Sequence, residues 1–129
     1  SMEPTLSDKD YVVAFPILSE LQRGDVIVTT SDISYGSSIV KRVIALGGDT
    51  VNIDFSTGSV YVNDTLLEES YIAEPTSQYG DVLFPITVPN DCVFLLGDNR
   101  NHSIDSRYSS IGCIPTDQIS RKLLTNLHF

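Results

Sequence analysis

The chain has 129 residues, a formal net charge of −9 and 41% hydrophobic residues. This length suits one domain with a hydrophobic core, and this composition excludes a disordered tail. The acidic balance argues against a nucleic-acid-binding surface, which needs clustered Lys and Arg. No run reaches the roughly 18 apolar residues that a membrane-spanning helix needs, and no signal peptide is recognisable.

The chain begins with a serine and not with a methionine. We therefore expect residues 1–129 to be a single domain taken from a longer protein, without the segment that precedes Ser1.

The predicted elements are short strands separated by turn residues. In chain order, strands are expected at 11–15, 25–30, 39–46, 50–55, 59–64, 82–88 and 92–96. The sequence STG at 56–58 predicts a hairpin turn, residues 67–81 an irregular loop, and residues 118–127 a last strand or a short helix. Helical periodicity is otherwise absent, so we predict an all-β fold of antiparallel sheets, either a barrel or two packed sheets.

The strand at 39–46 carries two cations, Lys41 and Arg42, among branched apolar residues. Side chains alternate along a strand, so one of these cations must share the buried face. A lysine with the usual pKa of about 10.4 is neutral in roughly one molecule in two thousand at pH 7, and lowering that pKa to about 8 costs about 3 kcal/mol. Burial can supply this shift, whereas guanidinium stays protonated. Lys41 is therefore a candidate general base, unless its amine reaches solvent and has no catalytic role.

Residues 97–107, GDNRNHSIDSR, form a segment rich in hydroxyls, carboxylates and amides that we call the polar loop. Its composition alone is typical of a surface loop held by internal hydrogen bonds. His102 lies in it and could serve a Ser-His-Asp triad, but a solvent-facing imidazole is the simpler interpretation. His128 is next to the chain end, and no G-x-S-x-G motif is present.

The two cysteines indicate little about function. Cys92 and Cys113 lie in apolar runs and are expected to be buried free thiols, with a disulfide only if their strands are neighbours. Two cysteines and two histidines fit no metal-ligand spacing, so no metal site is expected.

Four segments of the chain resemble the motifs of the bacterial type I signal peptidases. They follow the family order, span nearly the whole chain and read SMEPTL (1–6), RGDVIV (23–28), KRVIALGGD (41–49) and GDNRNHSIDSR (97–107). The third departs from the family pattern at Ala45 and Gly47. The resemblance implies a partly open antiparallel barrel of the signal-peptidase and repressor-protease type.

The resemblance also implies a serine endopeptidase that removes signal peptides from exported proteins. Ser1 matches the nucleophile, Lys41 the general base and Ser103 the hydroxyl that orients the lysine amine. The backbone N–H of Ser1 is expected in the oxyanion hole. No cofactor is implied, because a neutral lysine needs no metal.

In this family an extended peptide binds by β-augmentation, with small residues at −1 and −3 of the cleavage site. Met2, Ile39 and Val40 match positions that line the two shallow pockets, with ordinary core packing as the alternative.

The remaining polar motif residues are expected to hold the site rigid. Asp105 is expected to pair with an arginine, for which two candidates stay open. The supporting residues are Asp98, Asn99, Arg100, Asp105, Ser106, Arg107 and Arg42, the two candidates being Arg107 and Arg42.

The family resemblance further implies a single-pass amino-terminal membrane anchor and a catalytic domain on the extracytoplasmic face of the cell membrane. The expected partners are signal peptides of exported preproteins and the membrane surface, with no nucleic acid. Residues 14–20, AFPILSE, are a candidate lipid-touching patch through Phe15 and Ile17, with a partly buried loop as the alternative.

Three other functions stay open at this point. One is a self-cleaving repressor that shares the core of the fold, and another is a specialised signal peptidase for pilin or surface-protein assembly. The third is a catalytically inactive peptide-binding β module.

Overall fold

A computed structural model describes residues 2–6, 14–16, 21–29 and 39–123. Within them lie ten strands, β1 (Ala14–Pro16), β2 (Val26–Thr29), β3 (Val40–Leu46), β4 (Thr50–Asp54), β5 (Ser59–Val62), β6 (Thr65–Leu66), β7 (Ile86–Thr87), β8 (Cys92–Leu96), β9 (Ile114–Pro115) and β10 (Ile119–Leu123). Two single 3-10 turns complete the elements, Arg100–His102 and Thr116–Gln118.

The strands form two antiparallel sheets. The larger has the order β1-β10-β2-β3-β8-β9, and the smaller has the order β6-β5-β4-β7. The edge strands of the larger sheet, β1 and β9, do not pair with each other among the described residues, so that sheet remains open. The prediction of an all-β fold of antiparallel sheets is confirmed.

Most of the predicted strands are present within one or two residues of their expected bounds. The predicted strand at 82–88 was wrong in extent, because only Ile86–Thr87 pairs with β4. Pro85, directly before it, has no N–H to donate to a ladder. The tail begins with strand β10 and not with a helix, β6 and β9 were not predicted, and residues 11–13 of the first predicted strand lie outside the described residues.

The predicted hairpin turn at 56–58 is confirmed and depends on a glycine. Gly58 has φ +80°, a left-handed conformation that costs glycine little. A Cβ there would lie 2.3 Å from the Cβ of Pro75. The Gly58 N–H donates to the carbonyl of Asp54 at 2.7 Å and closes the turn between β4 and β5.

The larger sheet is covered on both faces. One apolar cluster fills the space between the two sheets, with Ile44 and Phe94 facing Val51 and Val60. A second cluster covers the opposite face of the larger sheet and comprises Ile27, Val43, Val93, Leu95, Ile114 and Ile119. Consecutive residues of β3 therefore enter two different buried environments.

The described residues bear on two further expectations. They include no helix long and apolar enough to cross a membrane. Cys92 and Cys113 are both free, and both are half-buried. The expectation of free thiols is confirmed, but the expectation that they are buried was wrong. Their segments are neighbours, since Val93 of β8 pairs with Ile114 of β9.

Asp49 connects three parts of the chain through one carboxylate. Arg23 donates to it from Nε at 2.9 Å and from Nη2 at 2.7 Å. The backbone N–H of Leu46 and the amide of Asn63 also donate to it, each at 2.9 Å. The guanidinium and these donors lower the Asp49 pKa to about 2.

We expect Asp49→Asn to lower the free energy of unfolding at pH 7 by about 1 to 2 kcal/mol, the range for charge-assisted hydrogen bonds to a half-exposed arginine. The folded pKa is about 2, below the unfolded value of about 3.9. The carboxylate therefore stabilises the fold above pH 4, and this contribution is lost as the pH falls through 2. Urea unfolding at pH 7 and pH 2.5 measures the difference, with Asp117→Asn as an exposed control. An equal loss at both pH values would count against the linkage.

Candidate active site

Lys41 lies on β3 directly opposite Ile27 of β2. Its side chain is 3% exposed, so the amine is inside the protein and not in solvent. The amine donates a 2.8 Å hydrogen bond to the Ser103 hydroxyl, which is also buried. Burial lowers the Lys41 pKa to about 8, opposed by the charge of Asp105 and assisted by that of Arg107.

Arg42 is the second cation of β3 and pairs in register with Val26. Because side chains alternate along a strand, it is buried on the opposite face of the sheet from Lys41. Its Nε and Nη2 donate to the two carboxylate oxygens of Asp98 at 2.8 and 2.7 Å. Its Nη1 donates to the carbonyl of Gly24 at 2.8 Å, and the Thr5 hydroxyl donates to Asp98. Arg42 is therefore fully paired as a cation.

Asp105 pairs with Arg107, which decides between the two expected arginines. Arg107 donates from Nε and Nη2 to the two oxygens of Asp105, both at 2.8 Å, and neither side chain is exposed. The Gly97 N–H also donates to Asp105 at 3.1 Å. Ser106 exchanges hydrogen bonds with both backbone groups of Leu95. The polar loop is thus fixed to the end of β8 by buried contacts.

Arg100 joins the polar loop to residues 67–81, which we call the cover segment. Its Nε donates to the Gly97 carbonyl at 2.8 Å, and Nη1 donates to the Thr76 hydroxyl at 3.2 Å. Nη1 also lies 2.5 Å from Oε2 of Glu69, and burial raises the Glu69 pKa. The Nη2 atom of Arg100 has no hydrogen-bond partner within the described residues.

Asn99 and His102 of the polar loop make fewer contacts. The Asn99 carbonyl accepts from the His102 N–H at 2.9 Å and starts the 3-10 turn. His102 itself is exposed, so the solvent-facing interpretation of this imidazole is the one that the structure bears out.

The structure brings two of the three predicted pocket residues together. Met2 is 4% exposed and packs in one small cluster with Val26 and the partly buried Val40. Ile39, the third, is half-buried, and its N–H donates to the Thr29 hydroxyl at 3.3 Å.

Several predicted residues lie outside the described part of the chain. They are Ser1, His128 and residues 17–20 of the candidate lipid patch. The segment that follows Ser1 is described, and the Leu6 N–H donates to the Met2 carbonyl at 3.0 Å. Residues 2–6 therefore form a closed turn.

Sequence reasoning missed three contributors to this region. The pair Arg23 with Asp49 could have been found, because Arg23 begins the second motif and Asp49 ends the third. Glu69 and Tyr71 lie in the cover segment, which carries no motif, and no sequence signal indicated them. Tyr71 stacks on Arg42, with the guanidinium carbon 4.0 Å from the ring centroid.

The described residues contain no group of three or more His, Cys, Asp or Glu side chains that could hold a metal ion.

The sequence model of the family described as signal peptidase, peptidase S26, matches residues 1–125. The chain belongs to this signal peptidase family. The membership sets aside the self-cleaving repressor as an alternative. It also agrees with the order and spacing of the four motifs.

Relatives and a solved structure are similar over most of the chain. A protein named probable signal peptidase I-2 from Synechocystis is 39% identical over 92% of this chain and 55% of its own length. A signal peptidase I from Bacillus amyloliquefaciens is 34% identical over 93% of this chain and 67% of its own length. The crystal structure of a signal peptidase I from Enterococcus faecalis has 31% identity and a TM-score of 0.69, covering 84% of this chain. The chain thus spans about half the length of the Synechocystis relative.

We expect Lys41→Met to raise the free energy of unfolding at pH 7 by about 1 to 3 kcal/mol, because methionine removes a buried ionisable amine at similar volume. The folded pKa is about 8, below the unfolded value of about 10.4. The cost of burying the amine is therefore present in full below pH 8 and disappears as the pH rises towards 10.4.

Chemical denaturation at pH 7 and pH 10.4 measures this effect, and the gain from Lys41→Met should shrink at the higher pH. Lys122→Met is the matched control, because Lys122 is a half-buried lysine whose amine lies 3.3 Å from Asp25. A loss of stability in Lys41→Met at pH 7 would show that the amine is not under this strain.

Proposed function

We propose that this chain carries the catalytic domain of a serine endopeptidase that cleaves signal peptides from exported proteins, with Ser1 as nucleophile and Lys41 as general base. The observation that carries the proposal is the buried amine of Lys41, with a pKa of about 8 and a 2.8 Å hydrogen bond to Ser103. A base with a pKa near the working pH is suited to accept and return a proton.

The protonation state of Lys41 supports the role of base. With a pKa of about 8, about one amine in ten is neutral at pH 7, about 200 times the fraction of a free lysine. A neutral amine has two N–H groups and one lone pair. Donating one N–H to the Ser103 hydroxyl fixes the rotation of the amine and leaves the lone pair free for a second hydroxyl.

In the first step Lys41 Nζ takes the proton of the Ser1 hydroxyl, and the oxygen attacks the scissile carbonyl carbon. The oxyanion that forms accepts a hydrogen bond from the backbone N–H of Ser1. Lys41 then returns the proton to the leaving amine, the C–N bond breaks, and the signal peptide stays esterified to Ser1. The assignment of Ser1 rests on its match to the nucleophile motif.

In the second step water replaces the leaving amine. Lys41 takes a proton from the water, the hydroxide attacks the ester carbonyl, and the proton passes to the Ser1 oxygen as the ester breaks. The products are a peptide with a free carboxylate and an exported protein with a new amino terminus. The same amine serves both half-reactions, because in each it takes up one proton from the nucleophile and gives it to the leaving group.

The substrate is an extended peptide with small residues at −1 and −3 of the cleavage site. Met2 and Val40 share an apolar cluster with Val26 beside the base-bearing strand, and such walls exclude large side chains sterically. The names of the relatives, signal peptidase I, support exported preproteins as the substrate class. A membrane anchor beyond this chain, with the catalytic domain on the extracytoplasmic face, places the site next to such substrates.

Lys41→Ala should lower kcat for a signal-peptide substrate by at least about 10³-fold, the usual cost of removing a base that acts with a nucleophile. The measurement is cleavage by the full-length protein of a peptide with alanine at −1 and −3. A peptide with tryptophan at −1 should be cleaved at least about 10²-fold more slowly because it does not fit the pocket.

Lys122→Ala is the matched control for this experiment, since it removes a lysine whose partner is Asp25 and should leave kcat unchanged. A folded Lys41→Ala protein that cleaves at the wild-type rate would eliminate the dyad. Binding of the peptide without cleavage by the wild-type protein would favour the inactive peptide-binding module.

We expect kcat/KM to rise with pH and to level off above about pH 8, following the neutral fraction of Lys41. Between pH 6 and pH 8 the increase should be about 50-fold for a single group with that pKa. Initial rates at low substrate concentration across pH 5.5 to 9.5 provide the profile. A rate that is constant from pH 6 to pH 8 would mean that Lys41 does not titrate as the base.

A further inference from the structure

The cover segment (67–81) has no regular secondary structure, yet it lies tightly against the polar loop (97–107). The Asn101 side-chain oxygen accepts hydrogen bonds from the backbone N–H groups of Ser77 and Gln78, both at 3.0 Å. A Cβ on Gly80 would lie 2.3 Å from the carbonyl oxygen of Arg107. The cover segment is therefore held in one position relative to the loop that carries Ser103.

Tyr71 extends from this segment between two arginines of the site. Its ring centroid is 4.0 Å from the guanidinium carbon of Arg42 and 6.0 Å from that of Arg100. Burial and the nearby charge of Glu69 raise the Tyr71 pKa, so its ring is that of a neutral phenol. A cation over an aromatic face in a desolvated setting is stabilised electrostatically.

The edge of the Arg42 guanidinium is already occupied. Two of its nitrogens donate to Asp98, and the third donates to the carbonyl of Gly24. The flat face is the remaining approach, and the Tyr71 ring covers it at 4.0 Å. The stacked ring fixes the orientation of the guanidinium plane. Because the guanidinium makes two parallel hydrogen bonds to Asp98, the orientation of that carboxylate is fixed as well.

Asp98 connects this arrangement to the start of the chain. Its carboxylate accepts the hydroxyl of Thr5, and residues 2–6 are closed into a turn by the hydrogen bond from Leu6 to Met2. This turn follows directly after Ser1. A contact series thus runs from Tyr71 through Arg42 and Asp98 to the turn.

We propose that Tyr71 is a positioning residue, which holds the turn at residues 2–6, and with it the nucleophile Ser1, in register with Lys41 by stacking on Arg42. This proposal rests on the proposed function, because it assigns Tyr71 a role in the reaction of the Ser1–Lys41 dyad. Tyr71 does not contact the base, because Lys41 lies on the opposite face of β3 and is hydrogen-bonded to Ser103.

Tyr71→Leu removes the aromatic face and should lower kcat by about 10- to 100-fold, the scale expected when a reacting group is displaced by up to about 1 Å. KM for the signal-peptide substrate should stay within about twofold, since the positioning role assigned to Tyr71 includes no substrate contact. The pH at which kcat/KM levels off should not move, because the contact of Lys41 with Ser103 is retained. Tyr71→Phe keeps the face and should retain at least about half of the wild-type kcat.

The matched control is Tyr79→Leu, the same change in the same segment. Tyr79 is 70% exposed and its ring contacts Phe55, with centroids 5.6 Å apart. This variant should cleave at the wild-type rate. If Tyr71→Leu does not fold, Tyr71→Met gives the same comparison with a more adaptable side chain.

A second measurement does not depend on catalysis. Amide hydrogen exchange at Leu6 reports the closed turn, and it should accelerate at least about fivefold in Tyr71→Leu but not in Tyr71→Phe or Tyr79→Leu. Wild-type exchange and kcat in a folded Tyr71→Leu protein would overturn the positioning role. An equal loss of kcat in the leucine and phenylalanine variants would also overturn it, and so would a shifted pH profile.

The two proposals fail in different ways. If the wild-type protein cleaves in a manner dependent on Lys41 while Tyr71→Leu is normal in both readouts, only the positioning role fails. If the wild-type protein does not cleave and Tyr71→Leu still loosens the turn, the proposed function fails, and Tyr71 keeps its contact role without a reaction to serve.

Discussion

Two consecutive cations on one strand of a sheet that is buried on both faces are the constraint on which this site depends. Lys41 and Arg42 point to opposite faces of the sheet. Because both faces are covered, both side chains are buried. Burying a charge without compensation costs several kcal/mol. The chain meets this cost in two chemically different ways, since Arg42 stays charged and is fully paired, whereas Lys41 is left with a hydroxyl partner and a lowered pKa.

The different treatment of the two cations follows from their chemistry. Guanidinium cannot give up its proton in a protein, so it needs an anion, and Asp98 meets it with both oxygens. An ammonium can become neutral, and burial favours that form. A carboxylate placed directly on Lys41 would have held it protonated. Asp105 is kept from that role by its own bidentate partner, Arg107.

Buried ion pairs of this kind are poor sources of net stability, because desolvation offsets most of their attraction. Their value here is geometric. Arg42 with Asp98 and Arg107 with Asp105 each have two parallel hydrogen bonds, which fix an angle as well as a distance. The polar loop needs such restraints since it carries no strand between β8 and β9.

The sequence predicts much of this architecture. Alternating apolar residues and turn chemistry locate most of the strands, and four motifs in family order indicate Lys41, Ser103 and the charged residues around them. The two-residue strands β6 and β9 are too short to leave a periodic signal. The partner of Asp105 was undecided because pairing across a loop depends on tertiary geometry and not on spacing.

The cover segment leaves no recognisable pattern in the sequence, for a related reason. Its side chains follow no period, because each is placed by a different tertiary contact: Glu69 by Arg100, Tyr71 by Arg42, and the backbone at 77–78 by Asn101. A periodic sequence pattern arises only where buried and exposed environments alternate regularly along an element. A segment fixed by unrelated single contacts has none, and is indistinguishable in sequence from a free loop.

The close approach of Gly58 to Pro75 restrains the cover segment at a second place, away from the site. At Gly58 the hairpin between β4 and β5 leaves room only for a hydrogen atom beside the cover segment. The cover segment therefore packs against the hairpin on one side and against the polar loop on the other. Lengthening or randomising the cover segment would disturb both of these contacts. Engineers who seek a tolerant insertion point in this domain should avoid residues 67–81, although they form neither helix nor strand.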